Sequence, residues 1–371
     1  NMFLDVTDVM TEKYLDEDGN IAVDTGKAAT QSIEETMYDG YSDVFKKNGH
    51  YYAVPYMLSV TGIIYDADLF DEAKLFFKKD GTIGATIADV KAGTASVGPD
   101  GEAGTSDDGL PATWGDFLKL LDRIRVSGYT PFTWATEPTP YQLSRLFNNI
   151  WANYEGYNDY MLNYTLLGED SQFGPIDENN FIQLLDQDGR KAAVQAFYDI
   201  AKNEGNYSAK AVPGGGNNHT GALREYIQSK RFSPRIAMTV ENSYWEQESR
   251  DVFDSEASQA TNGYGKRNFK YMPIPRITNF EGIPDQTNTE RVLPAQFGDS
   301  YICLSAKNKN KNADVQVEIA KLFIKFMQQR TQLVKYTKNT GCIRPYDYSV
   351  TAEEKALCTP YTQSLLTFIE E

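Results

Sequence analysis

Histidine is scarce: only His50 and His219 occur in 371 residues. That removes most of the usual acid-base and metal-ligating side chains and leaves little material for a Ser-His-Asp triad. No G-x-S-x-G, H-E-x-x-H or complete Walker sequence is present. The three cysteines, Cys303, Cys342 and Cys358, are odd in number and lack C-x-x-C spacing, which predicts buried free thiols rather than a zinc site or a disulfide framework. No stretch approaches the roughly 18 consecutive apolar residues of a membrane span. Positive charge is also in deficit, with 36 Lys and Arg against 52 Asp and Glu, a net charge of -16 and a pI of about 4.7. A phosphate backbone needs clustered cations, so nucleic acid is excluded as a partner, and an acidic surface favours a soluble monomer.

What the chain does have is aromatic and carboxylate side chains: 24 Tyr, 19 Phe and the 52 acidic residues, within an ordinary 41% hydrophobic content. This composition suits binding better than catalysis, and the length allows two domains with sizeable cores. Three Asp-Gly-rich stretches invite a calcium reading, at 16–20, 186–189 and 98–109. None has the D-x-[DN]-x-[DN]-G spacing with a distal glutamate. Asx turns explain them better, so no metal and no cofactor is expected.

The stretch Asn48–Phe70 reads as two apolar runs split by Pro55, closing on Asp66 as the N-cap of a short helix. A strand broken by proline suits a passage between lobes. Residues 73–111 read as an inserted hairpin or long loop. Thr113–Gly128 carries a cap pair in Thr113 and Asp116, an apolar face of Phe117, Leu120, Leu121 and Ile124, and a glycine stop, followed by a strand over 129–135. Tyr141–Tyr154 predicts an amphipathic helix buried through Leu143, Leu146, Phe147, Ile150 and Trp151. Further helices are expected at 190–202 and from about Thr220 to Lys230, with Gly214–Asn218 as a flexible link that lacks the features of a phosphate loop. Pro234–Trp245 reads as a strand through Ile236, Met238 and Val240, then a capping box of Ser243 and Glu246. Glu241 and Asn242 thereby fall at a strand's C-terminal end, where open α/β sheets bind ligands. Trp245 could pack into its own lobe, but a large aromatic in a helix's first turn favours a ligand-facing role. The helix 315–329 is expected to bury Ile319, Leu322, Phe323 and Phe326.

Several of these stretches resemble extracytoplasmic solute-binding proteins of ABC importers, the sugar-binding, maltose-binding-protein-like type. The residues are Gly49, Tyr51 or Tyr52, Ala53, Pro55, Thr61, Gly62, Tyr65, Asp68, Leu69 and Phe70; then Leu110–Phe132, Pro234–Trp245, Lys270–Arg276 (KYMPIPR) and Thr340–Pro345 (TGCIRP). The departures are Asp66 for the commoner Asn, Asp116 for Glu and Asn242 for Gly. The resemblance implies an α/β, two-lobe periplasmic-binding-protein-like fold of type II with hinge crossovers. One lobe would hold residues 1–57 and 276–331, the other 58–275 and 332–371. It further implies an export signal, often a lipidated cysteine, and a first β-α-β unit preceding the residues seen here. The protein would bind a carbohydrate, with an oligosaccharide favoured, and present it to a membrane permease. Tyr56, Trp134, Tyr141, Tyr244 and Trp245 are the candidate stacking rings; Glu137, Glu241, Asn242, Asp299 and Arg344 are the candidate polar partners.

Two other classes fit the composition. A glycoside-active enzyme needs only two suitably spaced carboxylates, and a peptide- or protein-binding surface module needs no motif at all, although neither accounts for the crossovers. The metal expectation has a direct check: EDTA leaves the melting temperature unchanged within about 1 °C, whereas a fall of many degrees reversed by calcium overturns the Asx-turn reading.

Overall fold

The computed structural model describes residues 2–137, 141–168, 170–232, 234–256, 259–295, 300–307 and 313–371. The chain forms two compact units, Asn1–Ser59 with Ala295–Leu366 and Val60–Pro294 with Thr367–Glu371, so it passes between them three times. The expected boundaries at 276 and 332 thus move to 295 and 367. Two sets of contacts account for the move. Gln286 donates to the Asn153 carbonyl and Val292 accepts from the Asn153 side chain in the larger unit, while the Tyr346 hydroxyl donates to the Pro55 carbonyl and the Leu58 N–H to the Ile343 carbonyl in the smaller one.

The larger unit is built on a four-stranded sheet of β1 (Thr61–Asp66), β2 (Thr130–Thr133), β3 (Ile236–Asn242) and β4 (Phe269–Met272), in the order β2-β3-β1-β4. Strands β2 and β3 run parallel; β1 is antiparallel to both β3 and β4. Every residue of β1 and β3 is buried, as expected for strands covered on both faces. The helices that cover them include α1 (Ala67–Glu72), α2 (Trp114–Val126), α3 (Tyr141–Glu155), α4 (Asp188–Ala201), α5 (His219–Gln228) and α6 (Trp245–Glu248).

Helix α2 begins as its sequence predicts. The Thr113 hydroxyl accepts from the Asp116 N–H and donates to its carboxylate, and Phe117, Leu120, Leu121 and Ile124 are buried. Leu146, Ile150 and Trp151 of α3 are buried too, in the same core as the α4 side chains Ala192, Ala193 and Ala196, whose small size lets the two helices approach closely. The 73–111 insertion does form a hairpin, Phe76–Phe77 against Ile83–Ala85. It is no mere surface loop, because Phe76, Phe77, Ala95 and Leu110 all enter the core. Within it the buried Asp107 carboxylate accepts from the Asp100 N–H and the Thr105 hydroxyl, and burial, reinforced by Asp100, pushes its pKa up to about 7. Gly214–Asn218 is less free than expected, since Asn217 is 1% exposed and Asn218 caps α5.

At the end of β1 the fully buried Asp66 accepts from Arg235 at 2.6 Å and from Arg267 at 2.5 Å, and it also caps α1 through the Leu69 N–H. Burial alone would raise this carboxyl, but the two guanidiniums outweigh it and hold it below the ordinary carboxylate value. Toward the other end of β1, β1 and β4 meet at a close fit: a Cβ on Gly62 would fall onto the Tyr271 hydroxyl.

In the smaller unit, Val54–Pro55 pairs antiparallel with Tyr301–Ile302, and Asp16 closes an Asx turn by accepting from the Asp18 and Asn20 N–H groups. Its helices include α7 (Ala313–Gln328) and α8 (Arg330–Thr340). The face of α7 predicted to be buried is instead exposed, with Ile319 at 60%, Leu322 at 64%, Phe323 at 58% and Phe326 at 42%. The helix turns Ile324 and Gln328 inward and is held by Lys321 to Asp8 at 2.7 Å and Lys325 to Glu12 at 2.9 Å. All three cysteines are free, but only Cys342 is buried, against the expectation for all three.

Replacing Asp66 with Ala strands two buried guanidiniums and is expected to cost about 3–5 kcal/mol in the unfolding of the larger unit, read by urea denaturation at pH 7. Because the folded carboxyl titrates below its unfolded value of about 3.9, wild type keeps this stabilisation above about pH 5 and loses it as the pH falls below about 4. The variant should therefore match wild type more closely in acid; an equal deficit at both pH values would contradict the ion-pair account.

Candidate functional site

In the larger unit, polar groups collect where β2 and β3 end. Strand β3 finishes at Glu241 and Asn242, and the chain after β2 runs alongside the lead into α5: the N–H groups of Thr136 and Glu137 both donate to the Asn217 carbonyl. Asn217 in turn donates to the Thr133 hydroxyl, the Trp134 carbonyl and Glu225. This network sets the start of α5, and with it the place of His219.

His219 Nε2 lies 3.5 Å from Oε1 of the fully buried Glu241 and 3.5 Å from Oε2 of Glu248. At that range these are electrostatic contacts at the limit of hydrogen bonding. The contact with Glu241 raises the imidazole above its ordinary pKa against the opposing effect of burial. Burial raises Glu248, with His219 pulling the other way. The trio places one imidazole between two carboxylates.

Beside it, the Asn242 amide oxygen accepts from the Thr61 hydroxyl at 2.6 Å and from Arg145 at 3.1 Å, and its nitrogen donates to the Tyr244 hydroxyl at 3.1 Å. Asn149 donates to the Thr61 carbonyl. Arg145, Asn149 and Asn153 therefore form an i, i+4, i+8 polar line on α3, adjoining its apolar stripe. Tyr244, half-buried, presents a ring and a hydroxyl at the same corner.

The expected site residues do not all come together. Glu241, Asn242 and Tyr244 are together at this corner, and Glu137 is placed beside it by its backbone bond to Asn217. Trp134 is 6% exposed and packs against Phe132 and Tyr207. Trp245 is fully buried, with ring centroids 5.0 Å from Phe269, 5.8 Å from Tyr226 and 5.9 Å from Phe253. Its ring packs into its own lobe, so the expectation of an open stacking platform is corrected. The helix begins at Trp245 with Tyr244 at its cap, and the Ser243 hydroxyl just before it accepts from the Val60 N–H.

In the smaller unit, the buried Arg344 guanidinium lies over the rings of Tyr56 at 3.9 Å and Tyr336 at 4.3 Å, which meet edge to face with centroids 5.6 Å apart. Asp299 lies outside the described residues, and of Tyr141 only the backbone is described, as the first residue of α3. A cavity of about 270 Å³ in the smaller unit, beside Asp18, Gln31, Gln328 and Arg330, contains none of the expected residues. Arg145, His219 and Glu248 were not expected at the site. Arg145 and Asn149 carry a legible signal in their four-residue spacing beside a buried stripe, while nothing in the sequence joins His219 to Glu241.

The profile of the bacterial extracellular solute-binding protein family matches residues 5–332. The chain belongs to that family. Solved structures agree on the two-lobe fold: a chitin oligosaccharide binding protein (14% identity, covering 98% of this chain and 65% of that one), RafE from Streptococcus pneumoniae in its apo form (16%, 98% and 67%) and maltose-bound MalE3 of T. maritima (15%, 99% and 72%), each with a TM-score of 0.53. At these identities the likeness is one of fold, and the solute-binding chain spans 65% to 72% of their lengths. Among curated proteins no sequence matches. Among the described residues of this binding protein no helix is long and apolar enough to cross a membrane.

Trp245→Ala is expected to lower stability by about 3–5 kcal/mol, as for a truncated core aromatic, measured by urea or thermal unfolding; a loss under about 1 kcal/mol would return Trp245 to the surface.

Proposed function

We propose that this solute-binding protein captures a carbohydrate, an oligosaccharide in the first instance, outside the cytoplasm and delivers it to the permease of an ABC importer, either held at the membrane as a lipoprotein or secreted. The single observation that supports this most is the corner of the larger unit where Glu241, Asn242, Arg145 and His219 converge beside Tyr244. Sugars offer fixed hydroxyls that pair with carboxylate, amide and guanidinium groups, and apolar C–H faces that lie on aromatic rings. Glu137 belongs to the same set. From the smaller unit, Tyr56 and Arg344 are the proposed contributors, a ring and a planar donor already held in one geometry by Tyr336. Ligands named for the solved relatives, a chitin oligosaccharide, raffinose and maltose, define the first compounds to try.

Binding without turnover is the proposed mode. Two carboxylates of this corner, Glu241 and Glu248, share a histidine between them, which suits holding charge in place rather than flanking a scissile bond.

Chitin-, raffinose- and malto-oligosaccharides should be titrated by calorimetry and thermal melt, with the sugar recovered and analysed afterwards. A true ligand raises the melting temperature, by the equivalent of about 2.7 kcal/mol at a hundredfold excess over Kd. Tyr244→Ala should weaken that ligand roughly tenfold, the loss of one aromatic contact worth about 1.5 kcal/mol, with little change in the unliganded melt. Binding by none of a broad glycan panel would overturn the carbohydrate reading, and cleaved sugar would overturn the non-enzymatic one.

A further inference from the structure

His219 is the single histidine of the larger unit and the first residue of α5, directly after the Asn218 cap. Its Nε2 stands 3.5 Å from Glu241 Oε1 and 3.5 Å from Glu248 Oε2. One ring nitrogen carries at most one N–H and cannot bond both carboxylates well. The charge of a protonated ring, in contrast, attracts both at once. We propose that His219 is a positioning residue of the binding corner: its charged form holds Glu241 and Glu248 in place for the ligand, and loss of its proton releases them and weakens capture. The effect on capture rests on the carbohydrate reading above, whereas the positioning is a property of the unliganded protein.

Deprotonation leaves two carboxylates around an uncharged ring, and they then repel with nothing between them. They are not equally free to part. Glu241 is fully buried in β3, whereas Glu248 ends the four-residue α6 with its side chain 40% exposed. Trp245 anchors the other end of α6 in the core, so the Glu248 side chain is the part that turns to water, and the buried Glu241 then loses the charge that fixed it beside Asn242. Two effects oppose a cation at His219: its partial burial and the N-terminus of α5. The two carboxylates outweigh them and raise the ring above its ordinary value. Other charged groups nearby face elsewhere: Glu225 of α5 accepts from Thr133 and Ser208, Arg145 of α3 donates to Asn242, and the chain after β2 brings the backbone of Glu137 alongside Asn218. Because the folded value lies above the unfolded one, the positioning is present in full below about pH 6.5 and is lost as the pH rises through the folded value.

Proton NMR of the imidazole rings in the unliganded protein tests the positioning. The chain has two histidines, so His50→Gln assigns the signals. His219 should titrate above about pH 6.5, and Glu248→Gln, which changes a half-exposed side chain, should lower its midpoint. A ring that titrates at or below about pH 6.5, or a midpoint unmoved in Glu248→Gln, overturns the proposal without any sugar present. Calorimetry with whichever chitin-, raffinose- or malto-oligosaccharide binds then tests the coupling. Affinity should fall roughly tenfold between about pH 5.5 and pH 8.5, the effect of one pKa unit between free and bound protein. His219→Gln, neutral throughout, should stay at the weaker level over the same range. Wild-type affinity that is equal at both ends overturns the coupling, as does an unchanged fall in His219→Gln. Failure of every sugar to bind overturns the carbohydrate reading instead, and the ring titration still decides the positioning.

Discussion

The larger unit depends on the Asp66 carboxylate. It stands at the end of β1, caps α1, and receives Arg235 from just before β3 and Arg267 from just before β4, so one buried anion joins three of the four strands. Arg267 also donates to the Ile227 carbonyl near the end of α5 and lies over the Phe269 ring at 4.3 Å. The arrangement answers a problem set by the sheet. Strands buried on both faces have no alternation of polar and apolar side chains to choose a register, and a slip of one residue would bury as much apolar surface as the correct pairing. A carboxylate that must meet two guanidiniums admits one register, because any other leaves buried charge uncompensated. Gly62 against Tyr271 adds a steric condition with the same effect.

That register determines the candidate site. With β1 and β3 locked so that Thr61 faces Asn242, the far end of the pair presents Asn242 to the Thr61 hydroxyl and to Arg145 from α3. The ionic lock at one end of β1 and the polar cluster at the other are thus two ends of one rigid strand pair. Preorganised groups of this kind suit ligand recognition, since little side-chain ordering remains to oppose binding.

Local patterns in the sequence were reliable where the physics is local. Helix α2, its Thr113 cap and its core face, the Asx turn at Asp16, the α3 stripe and the end of β3 at Glu241 and Asn242 all follow from spacing and capping. Trp245 and α7 show where that reasoning stops. A tryptophan opening a helix reads as exposed, but α6 is only four residues long and lies against Tyr226, Phe253 and Phe269, which come from three separate segments. In α7 the apolar periodicity correctly predicted a helix and a stripe. It carried no information on whether anything covers that stripe, because periodicity reports one surface and burial requires two.

The sequence by itself determined the class of molecule: an acidic, aromatic-rich, histidine-poor α/β chain whose short motifs resemble solute-binding proteins and whose strand-to-helix turns carry the polar site candidates. These properties are set by composition and by interactions within about ten residues of chain. Tertiary structure was needed to show that Asp66 is a shared ionic partner as well as a cap, that His219 meets Glu241 and Glu248, that Arg344 lies over Tyr56 and Tyr336, and that Trp245 belongs to the core. Each of those facts joins residues distant in sequence, and contact between distant residues is fixed by how whole elements pack, not by the spacing within any one of them.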